Sequence, residues 1–214
     1  MPVTPCRPKW RGTMTDRERF NRQMHYQSID RCFNMEFGYW DENFREWDLF
    51  TANGIRNNAE ADLFFNFDRI ANAVGSIWMA PAFETRVIEE TATTRVIVDP
   101  NGLHKEVPKD GHDTIPHYLR ASIVTPEDWR REKALRFDRA HPSRRVDVAA
   151  LQRAHPPDRT YPLGVYCGSL MGRIRDMLTF EGIAYAIFDC PDMLEDMVET
   201  ACVLVEDYLD QVLG

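Results

Sequence analysis

Four polar side chains follow apolar runs that are typical of buried strands, and each lies close to the carboxyl end of its run. They are Glu36, Tyr39, Asp68 and Cys167. Enzymes built on parallel strands place their chemistry at that end of the strands. The sequence therefore predicts Asp68 and Glu36 as catalytic residues, and Tyr39 and Cys167 as substrate-binding residues.

Each of these side chains also has an ordinary structural interpretation. Glu36 would pair with an arginine, Tyr39 would pack in the core, and Asp68 would cap a helix. Cys167 would be a small buried hydrophobic residue. The sequence alone leaves both interpretations open for all four, because strand-end polar groups are enriched at functional sites only statistically.

Histidines and acids of the kind that bind metals occur together between residues 110 and 117. They are Asp110, His112, Asp113 and His117. Their spacing is irregular and they fall on a predicted loop, whereas metal sites have recurrent ligand spacings. We therefore predict surface histidines here and no metal site.

Three apolar runs position the candidate residues. The runs 31–37, 61–67 and 161–167 are short and rich in apolar residues, which predicts buried strands. Strands that alternate with helical segments favour a parallel sheet. A cluster of Tyr39 with Trp40, Phe44 and Trp47 predicts a helix packed on one face before the break at residues 53–54.

Helix signals flank these runs. Thr15 and Glu18 have the spacing of a capping box, which predicts a helix to about Ser28. Thr125, followed by proline and two acids, predicts a second helix to about Phe137. From Pro191 onward, apolar residues recur at helical spacing and predict a long packing helix.

The clearest local signal is an antiparallel meander over about 84–107. Two β-branched runs, 84–91 and 94–99, precede the turn residues Pro100, Asn101 and Gly102, and the run 103–107 returns. Farther on, the segment 130–159 is rich in arginine but also contains acids. It is typical of a solvated face, with an anion-attracting surface as the alternative.

Composition limits the classes of function. The chain has 214 residues, a net charge of -8 and a pI near 5.3, which disfavours a nucleic-acid binder. Five cysteines without C-x-x-C spacing predict reduced thiols in the cytoplasm. No window of the sequence is long and apolar enough to predict a membrane span, and the N-terminal residues lack the apolar core of a signal peptide. We predict a disordered tail over 1–13 and one domain over 14–214.

The order of motifs resembles the uroporphyrinogen decarboxylase superfamily, in its divergent branch, over nearly all of 15–213. The motifs are the helix from Thr15, the run ending Met35-Glu36-Phe37-Gly38, the run 61–75, the V-D-P-N-G of 98–102, the T-P-E-D-W of 125–129, the F-E-G of 180–182 and the C-P-D-M of 190–193.

The resemblance implies a fold and a length. The family fold is a closed barrel of strands and helices, and this chain is similar to its N-terminal three fifths. The expected fold class is therefore α/β, a partial or complete TIM-barrel-like (β/α) fold with an inserted antiparallel β meander.

The resemblance also implies a chemistry. The decarboxylases use no cofactor: an aspartate holds the substrate and arginines receive its carboxylates. The counterpart of that aspartate is Asp68 by residue type, or Asn66 by gapless alignment, which makes Asn66 a substrate-binding candidate. The arginine-bearing segment after the first strand is replaced here by 35–39, which shares only Gly38, and Leu178 occupies the place of the catalytic tyrosine.

Three hypotheses follow from the resemblance. The first is a cofactor-independent decarboxylase acting on a carboxylated tetrapyrrole or a similar small-molecule acid. The second is a zinc-dependent corrinoid/thiol methyltransferase, whose zinc ligands would lie outside this chain. The third is a truncated, non-catalytic chain that needs a second polypeptide, with a homodimer or association through the incomplete barrel. No nucleic acid or membrane is expected as a partner.

Overall fold

Helices and two small sheets make up the described chain. The computed structural model describes residues 3–6, 12–110 and 116–214. They form two units: unit 1 is the described part of Met1–Ala73 with Ala149–Gly164, and unit 2 is that of Val74–Val148 with Val165–Gly214. The fold is mixed α/β, with a parallel and an antiparallel sheet, and the described strands form no closed barrel.

Unit 1 is mainly helical. Its strands β1 and β6 form a two-stranded parallel sheet. The last residue of β6 belongs to unit 2. Its elements are α1 (Asp16–Met24), α2 (Asp41–Glu46), α3 (Asp48–Asn53), α4 (Asn58–Phe65), β1 (Ala71–Ala73), α6 (Val148–Ala154) and β6 (Leu163–Val165).

Aromatic side chains form the apolar core of unit 1. Phe44, Phe50 and Phe64 are buried, and Phe44 stacks on Phe50 with ring centroids 5.3 Å apart. The predicted helix before residues 53–54 is present as α2 and α3, which meet at Trp47. Of the predicted cluster, Phe44 is core and Tyr39 packs against it, whereas Trp40 and Trp47 are exposed, so the core interpretation is confirmed only in part.

The predicted strands at 31–37 and 61–67 are wrong. Helix α4 occupies most of the second run, because the Asn57 side chain accepts a hydrogen bond from the Glu60 N–H and caps its start. Asn66, at φ 54°, ends that helix in the left-handed region. A short apolar run cannot separate a strand from a buried helix by periodicity, and here the cap decides.

The run 31–37 is held by side chains and a single backbone bond rather than by a sheet. The Phe33 N–H donates to Gln23 Oε1 at 2.7 Å, and the Asn34 N–H donates to Asp68 Oδ2 at 2.9 Å. Asp68 in turn donates its N–H to the Asn34 carbonyl at 2.7 Å. These bonds satisfy the backbone without a neighbouring strand.

Helix α1 confirms its predicted start but ends earlier than expected. The Thr15 hydroxyl accepts from the Glu18 N–H at 3.1 Å and caps the helix. The helix stops at Met24, where the sequence predicted about Ser28, and Tyr26 follows with φ 54°. A positive φ at a non-glycine residue is incompatible with continued α-helix.

Unit 2 combines an antiparallel sheet with three helices. Its elements are β2 (Arg86–Glu90), β3 (Thr94–Val98), β4 (His104–Pro108), β5 (His117–Arg120), α5 (Pro126–Arg136), a 3-10 turn (Pro142–Arg144), α7 (Leu170–Asp189) and α8 (Pro191–Leu213). The sheet order is β2-β3-β4-β5.

The predicted meander is confirmed as β2, β3 and β4. Asp99 Oδ1 accepts from the N–H groups of Asn101 and Leu103, which closes the turn between β3 and β4. Gly102 has φ 83°, and a Cβ there would lie 2.9 Å from the Phe83 ring, so only glycine suits this position. Strand β5 adds an edge that the sequence did not predict.

Helices α5, α7 and α8 enclose the core of unit 2. Thr125 and Asp128 form a capping box at the start of α5, as the sequence predicted. The buried stripe of α8 includes Met193, Met197 and Leu204. With Trp129 of α5 and apolar residues of α7, these side chains form one buried cluster.

Some predictions fall outside the described residues. His112 and Asp113 lie there, as does most of the predicted tail over 1–13. Of that tail, Val3 packs against the aromatic core of unit 1, and the Cys6 N–H donates to the Phe64 carbonyl at 2.8 Å. His117 is exposed, as predicted, with Nδ1 at 3.6 Å from a Glu106 carboxylate oxygen.

Candidate functional site

Asp68 lies in unit 1, in the turn that follows α4, and its carboxylate is fully covered. Arg31 donates to both carboxylate oxygens at 2.5 Å each, and the Asn34 N–H adds a third bond. Arg19 Nη1 lies 3.6 Å from Oδ1. The side chain is 0% exposed, and its acceptor positions are occupied.

Arg19 extends this contact into a buried charge network. Its guanidinium donates to Asp30 at 2.8 and 3.0 Å and to Asp16 at 3.0 Å. Burial alone would raise the pKa of Asp68, but Arg31, the Asn34 N–H and Arg19 together hold it below its ordinary value. The Arg19 guanidinium also holds the pKa of Asp30 far below its usual range.

The network ties α1 and the segment 30–34 to the turn after α4. Substrate has no access to Asp68 in this arrangement, so a catalytic role for Asp68 would require the network to open. Its catalytic assignment stays a prediction, while the geometry assigns it a structural role. It does not cap a helix, which was the alternative from sequence.

Glu36, Tyr39 and Asn66 also lie in unit 1. Glu36 is exposed, and its Oε1 accepts from the Phe37 N–H at 2.7 Å. The Tyr39 ring packs against Phe50, with centroids 5.1 Å apart. Burial raises the pKa of the Tyr39 hydroxyl, and the negative charge of Glu36 adds to the shift. Asn66 terminates α4. Their functional assignments stay predictions.

Cys167 lies in unit 2, in the segment after β6, beside a cavity of about 270 Å³. We call this cavity the Arg173 pocket. Its wall comes from the segment around Ile77, the start of α7 and the middle of α8. It is lined by Ile77, Cys167, Gly168, Leu170, Arg173, Ala201, Cys202, Val205 and Glu206.

Arg173 is the polar centre of this pocket. Its guanidinium lies 4.9 Å from the centroid of the Trp78 ring and donates from Nη1 to the Ile77 carbonyl at 3.3 Å. Burial lowers the pKa of Arg173, and the nearby Tyr166 hydroxyl opposes the shift. A guanidinium remains charged in such surroundings.

The surroundings of Arg173 differ from those of the other arginines of unit 2. Arg175 donates to Asp176, and Arg139 forms a two-bond pair with Asp207. Among the described residues, no carboxylate oxygen lies within ion-pairing distance of the Arg173 guanidinium. A half-buried cation without a carboxylate partner attracts an anion, and its planar fork matches a carboxylate.

Tyr208 of α8 lies in unit 2 but does not line the Arg173 pocket. The residue is 2% exposed, and its hydroxyl has no hydrogen-bond partner among the described residues. Burial raises the pKa of this hydroxyl, and the Cys167 thiol adds to the shift, so Tyr208 keeps its proton at neutral pH. A Cβ at Gly75 would lie 2.3 Å from the tyrosine ring, so glycine permits this packing.

Arg144 fixes the segment that carries Ile77. Its buried guanidinium donates to the carbonyls of Ser76 at 2.8 Å and Trp78 at 2.7 Å. It also donates to the carbonyls of Arg136 and Asp138. The arginine-rich segment is therefore not simply a solvated face, because Arg144 is a buried positioning residue for the pocket wall.

The structure thus separates the predicted site residues. Four of them lie in unit 1, whereas Cys167 belongs to a pocket of unit 2. Arg173 was missed by sequence reasoning. Arg173 had one usable signal: it lies four residues before the buried Met177 on α7, so it shares an apolar helix face where a charged residue is unusual.

Comparison with known proteins identifies no relative of this chain. No protein-family model, curated protein or solved structure matches it. The resemblance to the decarboxylase superfamily therefore rests on the sequence motifs alone.

Two further properties of the described residues bear on the site. No helix among them has both the length and the apolar character needed to cross a bilayer. In the same part of the chain, no three histidine, cysteine, aspartate or glutamate side chains form a group suited to a metal ion.

Proposed function

We propose that this chain is a uroporphyrinogen decarboxylase-like protein that acts in the cytoplasm as a cofactor-independent carbon–carbon lyase on a carboxylated small molecule. The observation that carries the proposal is the Arg173 guanidinium, half-buried in a cavity and without a carboxylate partner among the described residues. The family resemblance supplies the reaction type, and with it a partial or complete TIM-barrel-like fold with an inserted antiparallel meander.

The size of the pocket favours a small acid over a tetrapyrrole. Its volume of about 270 Å³ lies below the roughly 300–1,000 Å³ typical of sites for drug-sized ligands. A tetrapyrrole is larger than such ligands and would need additional walls. Among the two substrate classes that the resemblance implies, the pocket therefore supports the smaller one.

Arg173 would hold a carboxylate that the substrate retains. Decarboxylation breaks the carbon–carbon bond to the departing carboxylate, carbon dioxide leaves, and the electron pair stays on the substrate carbon until that carbon takes a proton. An arginine paired with the departing carboxylate would stabilise the ground state more than the transition state. The anchor must therefore bind a second acidic group.

Proton transfer to the carbanion would need a general acid that reaches the pocket. Tyr208 is not that acid, because it does not line the Arg173 pocket and its hydroxyl is buried. The electron sink would belong to the substrate, as the resemblance implies, so the substrate must carry a group that accepts the electron pair.

The test is binding and turnover of small di- and tricarboxylates by the full chain. We expect calorimetric binding of at least one acid in the series malonate, succinate and citrate, and Arg173→Gln to weaken it by about tenfold or more. Arg175→Gln is the matched control, because it lies on the same helix and is paired with Asp176. Equal losses in the two variants would refute the pocket assignment.

Turnover is measured separately as carbon dioxide released from uroporphyrinogen and from carboxyl-labelled acids that carry a carbonyl β to the departing carboxylate, such as oxaloacetate, because that carbonyl accepts the electron pair. Release that depends on Arg173 supports the lyase. Binding without release from any of them would leave an acid-binding protein and remove the lyase assignment.

A second candidate is a non-catalytic chain that functions with another polypeptide. The observation that favours it is the exposed aromatic surface of α7, where Phe180 and Phe188 are 80% and 84% exposed. Surfaces of this kind mark contact sites. Light scattering on the purified chain tests it, since a compact monomer at all concentrations would contradict this candidate. The zinc methyltransferase alternative has no comparable support and rests on the resemblance.

A further inference from the structure

A second cavity of unit 2 lies between strand β5 and helix α7 and is distinct from the Arg173 pocket. Its volume is about 430 Å³, within the range of small-molecule sites. We call it the β5–α7 pocket. It is lined by residues 118–121, 123, 124, 178, 179, 181, 182, 185, 186, 189, 190 and 193.

The floor of this pocket is apolar and fixed. Ile123, Leu178, Ala186 and Met193 line it, and all four are buried. All four belong to the main apolar cluster of unit 2 and so hold their positions. A ligand on this floor would cover apolar surface, which is the main source of affinity in such sites.

Two tyrosines line the pocket from different elements. Tyr118 belongs to β5 and is 43% exposed, and Tyr185 belongs to α7 and is 61% exposed. Tyrosine rings on a strand and on a helix offer flat faces for an aromatic ligand, with their hydroxyls free to face water.

The charged residues of the lining decide the charge of the ligand. Arg120 contributes one positive charge, whereas Glu181 and Asp189 contribute two negative charges. The lining is therefore net negative and does not favour an anion. The Arg173 pocket differs, because its lining has one charge of each sign, Arg173 and Glu206, and no ion pair joins them among the described residues.

The wall of the pocket includes a strained residue. Thr179 has φ 69° and ψ 168°, a region that is almost restricted to glycine, and it interrupts α7. Its hydroxyl accepts from the Gly182 N–H at 3.2 Å, which caps the second half of the helix. Strain of this kind is concentrated at ligand-binding sites, and here it forms part of the wall that carries Tyr185.

We propose that the β5–α7 pocket binds a planar aromatic small molecule that carries no negative charge, held by the apolar floor and by the rings of Tyr118 and Tyr185. The ligand class follows from the flat tyrosine walls, the apolar floor and the net negative lining. This site is independent of the acid-binding function proposed for the Arg173 pocket.

The test compares two fluorescent dyes of the same ring skeleton on the full chain. N-phenylnaphthylamine is neutral, and anilinonaphthalenesulfonate carries a sulfonate. We expect the neutral dye to bind at least about fivefold more tightly, since the lining disfavours the anion. Tighter binding of the sulfonate, or no binding of the neutral dye, overturns the proposal.

Variants place the dye in the pocket. Tyr185→Ala should weaken binding of the neutral dye about fivefold through loss of the ring contact, and Tyr118→Ala should do the same from the opposite element. Phe188→Ala is the matched control, because Phe188 lies on α7, is exposed and does not line the pocket.

The control separates the pocket from the exposed surface of α7. If the affinity of Phe188→Ala for the neutral dye changes by less than about twofold, the proposal is supported. The folded fraction of each variant is measured by circular dichroism, and the fluorescence is corrected for it. Equal losses in Phe188→Ala and in both tyrosine variants would place the dye on the exposed surface and refute it. Arg173→Gln should leave the dye affinity unchanged, so this result is independent of the proposed lyase function.

Discussion

Unit 1 and unit 2 use charged residues in opposite ways. In unit 1, the carboxylate of Asp68 and the guanidinium groups of Arg19 and Arg31 are buried together and satisfy one another. In unit 2, an apolar cluster forms the core, and the half-buried Arg173 has no carboxylate partner among the described residues.

This difference in charge pairing indicates which unit can bind a ligand. Chemistry-bearing residues that saturate one another, as in unit 1, hold segments together and are not available to a ligand. A desolvated charge beside a cavity, as in unit 2, still has binding capacity. Residue type and strand-end position predicted a catalytic role for Asp68. Among the described residues, however, it is Arg173 that combines a half-buried charge with the absence of a carboxylate partner.

The largest expected effect in the comparison of units is for Asp68→Asn. It removes the charge that compensates Arg31 and the buried Arg19, and breaking a buried ion pair costs about 3–5 kcal/mol. Urea unfolding measures the loss of free energy, and hydrogen exchange should show faster exchange in α1 than in α8.

Glu60→Gln is the control for that variant, since Glu60 pairs with the exposed Arg56 in the same unit and should destabilise the chain far less than Asp68→Asn. If Asp68→Asn destabilises no more than this control, the network does not hold unit 1 together.

A smaller loss is expected for Met197→Ala in unit 2. Met197 is 1% exposed in the apolar cluster, so truncation leaves a cavity that costs about 3 kcal/mol. The exposed Leu213→Ala on the same helix should cost less than about 0.5 kcal/mol. Urea unfolding at neutral and mildly acid pH should give the same difference, because no charge is involved; a strongly pH-dependent difference would contradict an apolar core.

The smallest expected effect is a difference in the acid sensitivity of the two units. The pKa values of Asp68 and Asp30 are lowered in the folded chain, so their stabilisation is present above the ordinary aspartate pKa of about 4 and is lost as the pH falls below it. The acids of unit 2 with lowered pKa, such as Asp196 and Asp207, lie in more exposed pairs and contribute less.

Hydrogen exchange measured between about pH 6 and pH 3 tests this difference. Amides of α1 should lose protection at a higher pH than the central amides of α8. Simultaneous loss in the two helices would show that the units do not differ in this way.

Local signals in the sequence were sufficient for several elements. The meander, its Asp99–Gly102 turn and the capped start of α5 were predictable because each depends on residues within a few positions of one another. The runs 31–37 and 61–67 were not, since an apolar run of that length suits a strand or a buried helix. In the second run, the Asn57 cap selected the helix.

The candidate site likewise has features that depend on neighbouring residues and features that depend on residues far apart in the chain. The sequence by itself determined Cys167 after β6, the amphipathic α8 and the helix starts, because these depend on spacing and on short-range capping. Only the tertiary structure decided that Asp68 is saturated by arginines more than thirty positions away, and that Cys167 and Arg173 share one pocket with residues of α8 much farther along the chain. The physical reason is that desolvation and charge compensation depend on which side chains share a buried volume, and residue order does not specify that.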